Sequence, residues 1–530
     1  MNTPGRPEPD RSIQALRPNW RIVSFLGALT VLIAVGCTGT VPEARVPSLP
    51  PATVPTVTTT APTATPLTPS TTITSVPADR PMPIRVGTDD DFEALVETAP
   101  EGTSFVIEPG VHRLVEIRPK DGMSFLGRPG SVMSGAIEVR DWAPSDDGFW
   151  QLDGISMTAL EHGDCIEGYE GCRLTQDLFM DDVMLWQVTD EADLGPGRWY
   201  WEGDRIVVAD DPTSRRVELS TATYAFMGDA HNVTIRGLVV EKYAVPAQFG
   251  AIQSAVPGDG PVGRGWLVED SEVRLNHGAG IRTGEATVLR NVFIHHNGQL
   301  GIAGSGGTGG VVEQCEIASN NIAGFNWGWE AGGAKFTETR GLVVRNNSVH
   351  DNGGPGLWTD INNYDTLYEG NTVVDNYAPG IFHEISYDAV IRNNTVTGNG
   401  FGSEAWLWGS GILIAASSDV EVYGNTVRGN ADGIGGIQQD REDGPEGAHL
   451  LSNLFVHDNS ISVQDGHIGI VEDFGDDGVF TERGNRFESN TYVDVRGRRY
   501  VWDGRTLDAD GWMDAGQDLD GGWRETPGQP

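Results

Sequence analysis

Short runs alternating aliphatic and polar residues recur along the chain from about residue 264, each punctuated by Asn and Gly. The theme is an aliphatic pair, a polar residue, Asn, an aliphatic, a second Asn five positions on, then Gly. "VVRNNSVHDN", "LYEGNTVVDN", "VIRNNTVTGN" and "VEVYGNTVRGN" are four copies. Alternation with a period of two calls for strands, and 70 Gly with 30 Pro argue against a helical solenoid. Aligning the copies puts Ser271, Asn291, Cys315, Asn347, Asn371, Asn394, Asn425, Asn459 and Asn485 in one column, with steps of 20 to 34 residues. A second column holds Asn276, His296, Asn320, Asn352, Asn376, Asn399, Asn430, Gln464 and Asn490.

Such a repeat cannot bury its apolar face alone and must stack on its neighbours. Stacked coils place equivalent residues ~4.8 Å apart, so amides in one column can bond up and down the stack. The expected fold is all-β, a right-handed parallel β-helix, with handedness taken from the chirality of parallel crossovers. Cys315, standing in the first column, reads as a buried thiol filling a turn. Residues 84–530 form the β-helix domain on this reading. Residues about 140–222 break the pattern with hairpin-like runs such as "GRWYWEGDRIVVADDP" and read as a small antiparallel β insertion near the N-terminal end. The tail, about 495–530, reads as a cap over the last apolar layer. Its aspartates lack the glutamate that completes a calcium loop.

Upstream the composition changes character. Arg17 and Arg21 precede "IVSFLGALTVLIAVG" and Cys37, an apolar run too short for the ~20 residues of a membrane span. "AVGC" resembles a bacterial lipobox, which implies residues 1–36 as signal, lipidation of Cys37 and an exported, membrane-anchored protein, with plain secretion as the alternative. Residues 37–83, rich in Pro and Thr, cannot bury enough apolar surface to order themselves and serve as a spacer. The net charge is −39, and loss of residues 1–36, with four arginines and two carboxylates, makes it −41. A surface so acidic repels nucleic acid and anionic lipid and favours neutral partners. Cys165 and Cys172 are close enough to form a disulfide after export. No metal-type cysteine pairs occur, and neither a metal nor another cofactor is called for.

Candidate chemistry lies in two successive repeats. "GPGLWTD" and "PGIFHEI" both place a carboxylate four residues past a glycine, so Asp360 and Glu384 share a column that continues to Ala415, Asp440 and Asp473. With no insertion between them, their spacing of about one rung, ~4.8 Å, approaches the ~5 to 5.5 Å of a retaining glycosidase pair. Two carboxyls that close cannot ionise independently. Trp358 and Phe382, two residues earlier, share their face by alternation. "NWGWEAGGAK" adds Trp329, Glu330 and Lys335, one of three lysines in the chain, and "EAWLWGSG" adds Trp408. With His383 and Asp440 these form the candidate substrate-binding set. Rings and amides around paired acids suit a sugar. A solvated or ion-paired acidic stack is the structural alternative.

"GLWTD" followed one coil later by "IFHEI" resembles the motifs of the β-helical β-xylosidases among the retaining glycoside hydrolases. The resemblance covers roughly residues 320–400 and implies Asp360 as nucleophile, Glu384 as acid/base and Glu330 as a sugar ligand. Tyr387 departs from that pattern, which has histidine. More broadly the chain resembles bacterial right-handed β-helix proteins of the pectate-lyase-like group. Two other readings stay open: a polysaccharide lyase on a uronate polymer, using His383 or Lys335, and a non-catalytic glycan-binding surface protein. The expected partner is an oligo- or polysaccharide, and the expected state a monomer.

Overall fold

The computed structural model describes residues 82–145, 147–158, 160–256, 262–403 and 406–526. The signal segment, Cys37 and the linker up to residue 81 lie outside the described residues. Three long sheets of 13, 12 and 13 strands are laid down in turn, each coil adding one strand to each. Pairing within them is parallel except for the final hairpin of Tyr500–Trp502 with Arg505–Leu507. The architecture is a parallel β-helix.

Strand alternation shows why these residues choose it. Val344, Tyr368, Ile391, Val422, Val456 and Phe487 sit opposite one another on successive rungs, and all are buried in the central core. The neighbouring outward position carries a ladder of alternating charge: Arg236, Glu269, Arg290, Glu313, Arg345, Glu369 and Arg392. Several of these close ion pairs, such as Arg290 with Glu313 at 2.7 Å and Arg345 with Glu313 at 2.6 Å. Exposed pairs contribute little individually. Slippage by one coil would set like charges side by side, so the ladder specifies register more than stability.

The turns hold the amide stacks. Asn347, Asn371, Asn394, Asn425, Asn459 and Asn490 form one, each side-chain oxygen accepting from the Asn before it. Asn276, Asn297, Asn320, Asn352, Asn376, Asn399 and Asn430 form another. Five assignments from sequence are corrected. Val292 replaces Asn291, and Asn297 replaces His296; in both cases the polar residue one step earlier takes the left-handed turn position. Asn490 belongs to the first stack, while Asn485 accepts from the Leu454 amide in a different turn. Gln464 is exposed, so the second stack ends at Asn430. Cys315 sits at its expected place, its amide donating to Asn347 Oδ1.

Both open ends are covered. The helix Phe92–Thr98, capped by Asp91, lays Phe92 and Val96 on the first coil. The helix Ala509–Asp514 buries Trp512 against Phe487, Tyr500 and Trp502, closing the other end. The insertion is an eight-stranded sheet from Ala136–Glu138 to Val217–Ser220. It is mixed, not purely antiparallel, because Val183–Val188 and Arg198–Glu202 run parallel. Buried Lys242 ties it to the coils through Asp182, Glu218 and Glu241.

Replacing Asn371 or Asn394 by Leu strands the amide and carbonyl partners in the adjoining coils, at about 1 to 3 kcal/mol per group. Both variants are expected to melt well below the wild type by circular dichroism. Unchanged melting would show that the stack carries no stability.

Candidate active site

Gly332–Thr337, Leu357–Asp360, Ile381–Glu384 and Ser410–Ala415 are successive strands of the 12-stranded sheet. Lys335 pairs with Trp358, Trp358 with Phe382, and Phe382 with Leu413. The same register sets Asp360 one rung from Glu384 and Glu384 opposite Ala415. The column then runs to Ile437 and Val471 rather than to Asp440 and Asp473. Asp440 is exposed beyond the end of Asp432–Gln438, so its assignment to the column falls.

A third stack, of mixed hydroxyls and amides, lies directly behind the pair. Thr339 and Asn363, Asn363 and Ser386, and Ser386 and Ser417 are bonded in sequence, and Asn363 Nδ2 also donates to the Asp360 carbonyl. The residue after each carboxylate turns left-handed, Ile361 at φ 60° and Ile385 at φ 35°. A β-branched residue there costs on the order of 1 to 3 kcal/mol, so packing and this stack hold the turn.

Alternation sends Thr359 and His383 inward, where Thr359 Oγ1 bonds His383 Nδ1 at 2.8 Å and accepts from Tyr368. Burial pushes the His383 pKa down to about 3. His383 is thus an interior residue and its assignment to substrate is corrected: the parity that turns Phe382 and Glu384 to the outer face of the coil turns it inward.

Lys335 Nζ lies 2.9 Å from Asp360 Oδ2 and 3.7 Å from Glu330 Oε2, over the Trp358 ring at 3.9 Å. Burial works against its charge, but Glu330, Asp360 and Glu384 outweigh it and the pKa is raised. Arg441 donates to Glu384 Oε1 at 2.7 Å and to Gln439 Oε1 at 2.8 Å. Burial, and next the Asp360 charge, push Glu384 up to about 7, against the pull of Arg441 and Lys335. Trp358 and Phe382 stack at 5.4 Å and 15°, with Trp408 edge-on to Phe382 at 5.9 Å. Trp358 and Phe382 are almost wholly buried and form a floor; Trp408 is half-buried. Trp358 Nε1 is buried without a hydrogen-bond partner of normal geometry among the described residues.

The flanking wall comes from the insertion and one early turn. Gln248 Nε2 donates to Glu330 Oε2 at 2.6 Å, while its Oε1 meets His162 at 3.0 Å. Trp329 packs edge-on against His162 at 5.5 Å. Cys165 and Cys172 form the expected disulfide, and Cys165 pairs with Phe325 in the turn leading to Trp329. On the other side residues 439–450 reach back across the coils. His449 Nε2 bonds Asn362 Oδ1 at 2.9 Å, Tyr387 donates to the Gly447 carbonyl, and Arg340 pairs with Glu446.

Arg441, Gln248, His162 and His449 were not singled out by the sequence reading. One signal was available: coils containing site loops are long. Neighbouring stack residues are 24 apart between Asn347 and Asn371, but 32, 31 and 34 apart where the "NWGWE", "WLWGS" and Arg441 segments are inserted. Excess length maps to loops on one face of a solenoid. Among the described residues no three or more His, Cys, Asp or Glu side chains gather in a metal-binding group.

A protein-family model described as "Right handed beta helix region" matches residues 262–427. The chain is a right-handed parallel β-helix. The solved complex of XylC with xylose is similar in fold, with a TM-score of 0.64 at 14% identity over 85% of this chain and 87% of that one. Mannuronan C5-epimerase AlgE5 of Azotobacter vinelandii is 29% identical over 147 residues, which is 26% of this chain and 14% of that protein. AlgE2 of the same organism is 30% identical over 135 residues, 24% and 13% of the two chains. The matched stretches therefore span only a small part of the length of these curated relatives.

The raised Glu384 pKa has a cost in stability. The folded protein holds this proton more tightly than the unfolded chain, so stability present below the ordinary carboxyl value of 4.5 is lost as pH rises through about 7. Glu384→Gln, which cannot ionise, is expected to raise the melting temperature at pH 8 and to leave it nearly unchanged at pH 5. A pH-independent difference would contradict the assignment.

Proposed function

We propose that this chain is a carbohydrate-active enzyme, a retaining glycoside hydrolase in which Asp360 is the nucleophile and Glu384 the acid/base. The observation that supports it most is the pair itself: two buried carboxylates one rung apart, the first paired with Lys335, the second raised to about 7. A rung of ~4.8 Å fits the ~5 to 5.5 Å separation of the retaining mechanism. Export by the N-terminal segment and anchoring through Cys37 belong to the same proposal and rest on the sequence.

In the reaction Asp360 attacks the anomeric carbon while Glu384 delivers its proton to the departing oxygen. The glycosyl ester on Asp360 is then hydrolysed by a water that Glu384, now ionised, deprotonates. Lys335 fixes Asp360 and offsets its charge. Glu330, held by Gln248, is turned to accept a sugar hydroxyl, while the buried Trp358 indole N–H faces Glu384 and helps to hold its pKa down. Xylose, the ligand of XylC, makes a pentose-containing glycan the first substrate to test. A lyase would need a base at the sugar C5 proton, and buried His383 is out of reach for that role. Lys335 keeps that second reading open, since cations beside the acids suit a uronate.

Asp360→Ala is expected to abolish glycoside cleavage without unfolding the protein. Glu384→Ala should retain turnover of dinitrophenyl glycosides, whose leaving group needs no proton, and added azide should raise it. Equal loss on good and poor leaving groups without azide rescue removes Glu384 from the role. Ultraviolet-absorbing products from a uronate polymer would hand the site to elimination.

The acid limb gives a second check. Glu384 must be protonated to start the cycle, so kcat/KM should fall as pH rises through about 7. Arg441 holds this pKa down, so in Arg441→Met the limb should move to higher pH. A limb that stays in place would mean that another group is being titrated.

A further inference from the structure

The outward row that carries Lys335 and Trp358 continues toward the N-terminal end as Ala303 and then Arg282, on the strand Ala279–Thr283. Arg282 lies two rungs from Lys335, roughly 10 Å along the sheet. Its guanidinium rests on the Phe249 ring at 5.0 Å, and Phe249 follows Gln248, the residue that grips Glu330. The turn that holds Glu330 through Gln248 thus also packs on Arg282 through Phe249.

Arg282 differs from the other partly buried arginines. Arg274 is paired with Glu241 and Glu272, Arg441 with Glu384, and Arg483 with Asp476. Among the described residues Arg282 closes no ion pair and no hydrogen bond, in a chain with 75 Asp and Glu against 36 Lys and Arg. Burial pushes its pKa down, opposed by Glu330 and then Tyr224, so the Tyr224 hydroxyl lies within its field. Leaving a cation half-buried and unpaired costs free energy, which a ligand anion would recover through charge-assisted bonds. A planar guanidinium matches a carboxylate.

We propose that Arg282, seated on Phe249, is the recognition group of a carboxylate subsite, so that the glycan bound here carries a uronic acid two rungs upstream of the acidic pair. This deepens the glycosidase reading and rests on it for the direction of the groove. The overall acidity of the chain then acts as a filter: a uniformly anionic polymer is repelled, while a largely neutral chain with a single acidic unit is admitted and oriented.

The test measures binding by calorimetry with oligosaccharides offered in matched forms: neutral xylotetraose, the same chain with one glucuronic acid branch, and the same chain with one sulfate. The wild type should bind the uronate form about tenfold more tightly than the neutral one, the size of one charge-assisted contact, with the preference shrinking as salt rises. Arg282→Met should lose the preference and Arg282→Lys should keep part of it, with melting curves confirming that both variants fold. Equal affinity for neutral and uronate forms, binding of neither, a preference that survives in Arg282→Met, or stronger binding of the sulfated form would each overturn the proposal. A wild type with the Arg282-dependent preference but no glycoside cleavage would sink the glycosidase reading and leave this subsite standing; cleavage without the preference would do the reverse.

Discussion

Each stack asparagine in this molecule is satisfied chiefly by its neighbours along the solenoid. Asn371, for example, accepts from the backbone and side chain of Asn347, donates to Asn394 and bonds the Val344 carbonyl. A buried amide deprived of these partners costs on the order of 1 to 3 kcal/mol, so coils can add only with the turn in the same place. That requirement makes every coil present the same turn, and so makes every rung of the three sheets equivalent to the last. The alternating Arg and Glu ladder outside reinforces the register, because a slip would oppose like charges.

The geometry of the candidate site is a by-product of that equivalence. No dedicated scaffold sets the distance between Asp360 and Glu384; the rung spacing does, and the hydroxyl and amide stack of Thr339, Asn363, Ser386 and Ser417 fixes the turn that follows each of them. Left-handed Ile361 and Ile385 show that the turn is imposed on unsuitable residues, which is affordable where the neighbouring coils over-determine the backbone. What varies from coil to coil is loop length, and three long coils wrap the pair with Trp329 and Glu330, Trp408 and Arg441. Constancy supplies the distance between the two carboxylates and variation supplies their environment.

The same division governs how far the sequence could be read. Asp360 and Glu384 were legible because their coils follow one another without insertion and have one glycine from which to count. The count failed at Asp440 because Gly433, Gly435 and Gly436 crowd that coil and only the register identifies Ile437 as the rung. Asn291 and His296 were chosen over Val292 and Asn297 because a polar residue fits either the stack or the left-handed turn beside it, and a single sequence does not separate the two. His383 was misread by parity alone. Arg441, Gln248 and His162 leave no periodic trace: they arrive from loops 57, 82 and more than a hundred residues from the acids and from Glu330 that they serve. The hydroxyl and amide stack escaped notice because Thr, Asn and Ser alternate in it without a repeated letter.

An acid/base residue must give a proton and take one back at the same pH, so its pKa has to sit near the working value rather than far above it. For Glu384 in its proposed acid/base role, burial and the Asp360 charge alone would carry the pKa past that point, leaving a competent acid and a poor base. Two cations pull it back, and they have different origins: Lys335 is a rung residue, placed by the stacked coils, whereas Arg441 is brought by residues 439–450, which are tied to Asn362, Tyr387 and Arg340. The titration of Glu384 therefore reads out both halves of the architecture. Loosening that strap without touching the pair would alter the pH at which the site works before it altered where the carboxylates stand.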